Sequence, residues 1–248
     1  MIQIIDLARS FNGHPVLDGI NLEIPQGEIT VIIGKSGVGK SVLLKHIIGL
    51  YKPDRGQVLV DGVDITRARG KALKRLKERF AYLFQGGALF DSLTVFDNVA
   101  FPLREKTKLP EAEIIRRTRE RLNQVVLTPE VENKYPDELS GGMRKRVALA
   151  RALVQNPEII LFDEPVTGLD PPMTNTVFHL ITKTHAESGY TALIVSHDIP
   201  DIFSVADHVA MLHQGRIIAY GTPEEIQRET NPVVQHFIQG EPDFLEVS

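Results

Sequence analysis

The chain has 248 residues, of which 42% are hydrophobic and 24% charged, enough to bury a substantial core. A formal charge of −4 argues against a dedicated nucleic-acid binder, and the absence of Cys removes disulfides, thiol catalysis and cysteine metal sites. No apolar run reaches the roughly 18 residues of a membrane span, and Met1 to Asp6 reads as a strand rather than a signal peptide, so an intracellular location is expected.

Residues 1–28 read as short strands. Ile2, Ile4 and Leu7 form one run, Asn12-Gly13 a turn, and Leu17 to Ile24 the next run. Phe11 sits just before the turn. Taken alone it reads as a strand-end packing residue, with stacking on a base as the alternative. Ile29 to Ile33 is an apolar, β-branched run that breaks into Gly34-Lys35-Ser36-Gly37-Val38-Gly39-Lys40-Ser41. This fits the phosphate-binding pattern G-x-x-x-x-G-K-[ST]. Its glycines let the backbone curl so that N–H groups converge on oxyanions, and the helix that follows adds the positive end of its dipole. Lys40 is expected to reach the β- and γ-phosphates of a nucleotide, and the Ser41 hydroxyl to hold Mg²⁺. Leu43, Leu44, Ile47 and Ile48 give that helix an apolar stripe ending at Gly49.

A hairpin is expected around Asp61-Gly62. Arg67 to Arg79 carries seven basic residues and resembles a solvated helix face with Leu73 and Leu76 turned inward; an anionic partner is the sharper alternative. Phe80 to Phe84 reads as a strand ending at Gln85, which either reaches into a cleft or caps a turn. Between 88 and 138 strand signals give way to helical ones, Val95 to Leu103 and Glu111 to Val126, as in a helical lobe inserted into an α/β core.

Leu139-Ser140-Gly141-Gly142-Met143 then opens a helix with Met143, Val147, Ala150 and Val154 on its apolar face. Ser140 is either a second anion site or simply an N-cap; the two glycines behind it favour function. Glu158 to Glu164 is an apolar strand ending in two acids, at the end where α/β sheets place their chemistry. Asp163 suits Mg²⁺ and Glu164 a water-activating base. Thr191 to Asp198 repeats the design, with His197 either a turn residue or a γ-phosphate sensor. Residues 208–221 read as a hairpin turning at Gln214-Gly215, and Pro223 to Gly240 as a helical tail.

Strand, phosphate loop, glutamine, Leu-Ser-Gly-Gly, two acids and histidine occur in an order that resembles the nucleotide-binding subunit of ABC transporters, with 139–143 similar to the family's signature. The resemblance implies an α/β fold: a P-loop NTPase with a RecA-like parallel core sheet, an N-terminal antiparallel β subdomain and an inserted α-helical subdomain. It implies one ABC ATPase domain over 1–248. The ATP-binding core and β subdomain would take 1–87 and 156–225, the helical subdomain 88–155 and a C-terminal helical tail 226–248. It further implies Phe11 on adenine, Gly34 to Ser41 as Walker A, Gln85 linking metal and water to a transmembrane partner, and Asp163 and Glu164 as metal ligand and catalytic carboxylate. Asp170 would lie at a dimer interface and His197 would be the switch histidine. Ser140, Gly141 and Gly142 would act in trans, on nucleotide held by the P-loop of a second chain in a head-to-tail, ATP-dependent homodimer.

The segment Phe84 to Glu105, Met143 in the signature and the stretch Asn231 to Gly240 look like the ATPase of Mla-type phospholipid transporters. That implies an integral membrane permease, an MCE-domain lipid-binding protein and a small accessory subunit as partners, at the cytoplasmic face of the bacterial inner membrane. A transporter of another substrate, a cell-division regulator and a DNA-maintenance ATPase are the alternatives. The short insertion without heptads or Cys speaks against the last of these.

Overall fold

Strands β1 (Ile2–Phe11) and β2 (His14–Ile24) pair antiparallel around Asn12-Gly13. Both turn residues are left-handed, at φ 51° and 82°, as a two-residue hairpin requires. Ile2, Ile4 and Leu7 are buried. The register slips between Ile4 and Leu7, where Asp6 takes φ 46°, so this bulge explains a spacing of two and then three. β3 (Ile29–Ile33) is buried along its whole length and leads through residues 34–39 into α1 (Lys40–Ile47). Leu43, Leu44 and Ile47 form the buried stripe of α1, and Gly49 lies just past its end at φ 66°. β4 (Arg55–Val60) and β5 (Val63–Asp64) make the expected hairpin and complete an antiparallel sheet in the order β2-β1-β4-β5.

Next come α2 (Gly70–Glu78), β6 (Phe80–Leu83), α3 (Val95–Lys106) and α4 (Glu111–Gln124). α5 (Gly141–Leu153), β7 (Ile159–Asp163), α6 (Pro171–Ser188) and β8 (Thr191–Ser196) follow. In α2 Leu76 is buried and Leu73 half-buried, while Lys71, Lys74 and Arg75 are exposed, which agrees with a solvated face. β6 and β7 pair in parallel from Phe80 opposite Ile159 to Leu83 opposite Phe162. β7 and β8 have every residue buried, which is why both read as continuous apolar runs. α4 stops two residues short of the expected Val126, which turns left-handed at φ 58°.

β9 (His208–His213) runs parallel to β3 and turns at Gln214-Gly215 into antiparallel β10 (Arg216–Gly221). The tail is helical in two pieces rather than one, α7 (Pro223–Gln227) and α8 (Pro232–Ile238). The break has a local cause: Asn231 caps α8 by accepting from Val233 N at 3.0 Å, and Pro232 has no N–H with which to continue a preceding helix.

This computed structural model describes residues 1–197 and 201–240; Asp198 and the last stretch of the expected tail, 241–248, lie outside the described residues. The chain forms two compact units, Met1–Gly70 with Val195–Ser248, and Lys71–Ile194. The helices read as an inserted lobe thus share a unit with β6 and β7.

Candidate active site

In the first unit the phosphate loop is shaped by its glycines. Gly34 has φ 152°, and a Cβ there would sit 2.3 Å from the Leu212 carbonyl oxygen, so no side chain fits. Gly39, at φ 107°, would bring a Cβ to 3.0 Å from Val16 and 3.1 Å from Leu17. Lys40 is only 4% exposed. Its ammonium folds back over the loop and donates to the Gly34 carbonyl at 2.7 Å and the Lys35 carbonyl at 2.9 Å. The N-cap of α1, Gly39, provides no side-chain acceptor, so the first-turn N–H groups are not capped from that position. A loop curled by its glycines and a cation folded over it, at the start of a helix, together make an anion cradle. Ser41 stands in the first turn of the same helix.

Phe11 ends β1. Its ring meets Tyr51 edge-on at 5.8 Å, and the Arg9 guanidinium lies 4.8 Å from its centroid. These contacts match the packing reading of the residue taken alone, and the ring is still half-exposed. His197 follows β8 and is exposed.

In the second unit the two acids at the end of β7 have different surroundings. Asp163 is 7% exposed and accepts a hydrogen bond from the Tyr82 hydroxyl at 2.7 Å. Burial, and then the hydrogen bond to Asp163, push the Tyr82 hydroxyl far above its ordinary pKa. Glu164 leaves the strand in a left-handed conformation, φ 49°. One carboxylate oxygen accepts from Gln85 Nε2 at 2.9 Å and from Thr167 Oγ1 at 3.0 Å. The Glu164 backbone carbonyl accepts from Lys145 Nζ at 3.3 Å, and the same ammonium donates to the Gln85 carbonyl. Burial lowers the pKa of Lys145, partly offset by the charge of Glu164.

Ser140 is exposed and caps α5, its Oγ accepting from Met143 N at 3.3 Å. The atom nearest to a Cβ on Gly142 would be the end of the Met173 side chain, with its Cε at 2.5 Å. Asp170 caps α6 by accepting from Met173 N at 2.9 Å, so it has a folding role here whatever else it does.

Of the expected residues, then, the structure brings Gln85 onto Glu164. Phe11, Lys40, Ser41 and His197 belong to the first unit, and Gln85, Ser140, Asp163, Glu164 and Asp170 to the second. Sequence reasoning missed Tyr82 and Lys145, and it missed the bond from Thr167, a residue of the loop that the resemblance assigns with Asp170, to Glu164. A polar ring end in an otherwise apolar strand signals Tyr82. Thr167 stands three residues after Glu164, within reach across a tight turn. Lys145 lies between Arg144 and Arg146 and looks like surface charge. Among the described residues no group of three or more His, Cys, Asp or Glu is placed to hold a metal ion. A carboxylate such as Asp163 is a donor of the kind Mg²⁺ takes, since that ion characteristically binds one or two carboxylates and completes its shell with phosphates and water.

A glycine-shaped anion cradle after a buried strand, with acids ending a parallel strand, defines a P-loop nucleoside triphosphatase. The comparisons carry this further. The ABC transporter family matches residues 17–167, and a family described as an AAA domain, putative AbiEii toxin of a type IV toxin–antitoxin system, matches 132–203. A probable ribonucleotide transport ATP-binding protein, mkl of Mycobacterium leprae, is 44% identical over 239 residues, covering 96% of this chain and 69% of that protein. The intermembrane phospholipid transport system ATP-binding protein MlaF of Escherichia coli K12 is 39% identical over 243 residues, covering 98% of this chain and 90% of that protein. A dimeric post-hydrolysis structure of the ATP-binding cassette MJ0796, bound to ADP and Pi, is 31% identical with a TM-score of 0.81, over 90% of this chain and 99% of that one. The chain belongs to the ABC transporter family and is an ATPase that binds and hydrolyses ATP. No helix among the described residues is long and apolar enough to cross a membrane.

Proposed function

We propose that this ATPase powers phospholipid transport in an Mla-type system, working as a head-to-tail homodimer beneath an integral membrane permease. What carries the substrate reading is the likeness to MlaF over nearly the whole of both chains; the ribonucleotide-named relative is matched over a smaller share of its length. An MCE-domain lipid-binding protein and a small accessory subunit complete the assembly, at the cytoplasmic face of the inner membrane. The substrate reading rests on likeness to relatives, so the experiment lies in the complex. Affinity purification from native membranes should bring down a permease and an MCE-domain protein, and added phospholipid should raise the ATPase activity of the complex. Stimulation by ribonucleotides or by DNA instead, or no stimulation by phospholipid and no bound phospholipid, would sink this reading.

The roles follow from the chemistry of each residue. Phe11 stacks on adenine, and the backbone of Gly34 to Gly39 with Lys40 holds the phosphates. Ser41, Asp163 and Gln85 would hold Mg²⁺, which supplies charge neutralisation at the phosphate oxygens. Glu164 takes the proton of the attacking water, and His197 reads the γ-phosphate. Ser140, Gly141 and Gly142 engage the nucleotide of the partner chain, and Asp170 lies at the dimer interface. An isologous dimer makes two such sites, and ATP favours the closed pair because it contacts both chains there. The cluster around Glu164 supports this. Its carboxylate is held by Gln85 in this structure, so the base and the glutamine that senses the transmembrane partner are already linked.

A further inference from the structure

The second unit contains a charge that these roles do not use. Lys145 is 7% exposed, on the second turn of α5, five residues after Ser140. A buried ammonium needs acceptors, and it takes two backbone carbonyls, those of Gln85 and Glu164. The side chains of the same two residues bond each other at 2.9 Å. The result is a closed circuit: Gln85 amide to Glu164 carboxylate, Glu164 carbonyl to Lys145, Lys145 to the Gln85 carbonyl. Further along α5, Arg151 donates to the carbonyls of Gly87 at 2.6 Å and Ala88 at 2.8 Å. The helix therefore grips the 85–88 loop at three carbonyls. Of the two cations, Lys145 also reaches the residue expected to act as base. Glu164 needs such a hold, because its left-handed backbone is a strained conformation for a residue with a Cβ.

We propose that Lys145 is a positioning residue that makes the placement of Gln85 and Glu164 depend on the position of α5. The inference rests on the proposed roles of Ser140, Gln85 and Glu164. A displacement of the Ser140 end of α5 moves the Lys145 ammonium, and with it both carbonyls. Engagement of one chain's signature thereby adjusts that chain's own base.

The test is steady-state ATPase kinetics of full-length Lys145→Met, Lys145→Gln and Lys145→Arg, with melting curves to establish folding. Loss of hydrogen bonds from a charged donor predicts that Lys145→Met lowers kcat about ten- to a hundredfold while KM for ATP stays within about twofold. Lys145→Arg, which keeps charge and donors, should recover most of the loss. Lys145→Met placed in a Glu164→Gln chain should still form the ATP-driven dimer. Should Lys145→Met not fold, Lys145→Gln, a shorter neutral donor, is read by the same criteria. Full turnover in the folded variant, a KM that rises in step with the fall in kcat, no recovery with Arg, or loss of the ATP-driven dimer would each overturn the proposal. Full turnover in Glu164→Gln would instead overturn the assignment of the base, so the two failures are distinct.

Discussion

Glu164→Gln is expected to leave ATP bound and to slow hydrolysis by about a hundred- to ten-thousandfold, the range for losing a positioned general base. The substitution is informative because it preserves the local geometry. A glutamine side-chain oxygen at 164 can still accept from Gln85 Nε2 and from Thr167 Oγ1, which now share one carboxylate oxygen. The Glu164 carbonyl still accepts from Lys145, since that bond is to the backbone. What disappears is basicity. With binding intact and hydrolysis blocked, ATP continues to favour the state in which it contacts both chains, so a dimer should accumulate. Size-exclusion chromatography with and without ATP reads the dimer, and phosphate release reads the turnover. Normal turnover would remove Glu164 from the chemistry.

Lys40→Ala should fail one step earlier. The ammonium is almost fully buried and already donates to the carbonyls of Gly34 and Lys35. Removing it takes a positive charge away from the phosphates and leaves two loop carbonyls without their donor. Charge-assisted hydrogen bonds contribute about 1.5–3 kcal/mol each, so ATP affinity should fall at least tenfold and by up to about a hundredfold. Calorimetric titration with nucleotide distinguishes this variant from Glu164→Gln, in which affinity is kept. An unchanged affinity would count against a phosphate role for Lys40. The pair of variants thus separates binding from chemistry.

Much of the fold was legible because the buried parallel strands are unbroken apolar runs, and because Asn12-Gly13, Asp61-Gly62 and Gln214-Gly215 announce their turns. The phosphate loop was legible for a similar reason: glycines at fixed spacing are needed where backbone must curl without side chains, as Gly34 shows against Leu212. Helix caps at Ser140 and Asp170 are local hydrogen bonds, but only the first was read as a cap. What could not be read were contacts between residues far apart in the chain. Lys145 is 60 residues from Gln85 and 19 from Glu164, and its two basic neighbours disguise it as surface. Tyr82 is 81 residues from Asp163, and only the pairing of β6 with β7 brings them into the same neighbourhood. The proposed substrate rests on resemblance alone, since a fold does not by itself fix function.

If Gly142 engages the nucleotide of a second chain as proposed, the demand for a glycine there comes from that partner. The three atoms nearest to where a methyl group would sit there all belong to the Met173 side chain, and the closest is its flexible end, which can swing aside. A chain altered at 142 should therefore pass cellular quality control, reach normal abundance and compete for assembly with unaltered copies. On the proposed homodimer, harm in a cell carrying both forms would spread through mixed pairs, so such an allele would behave as dominant over the intact one.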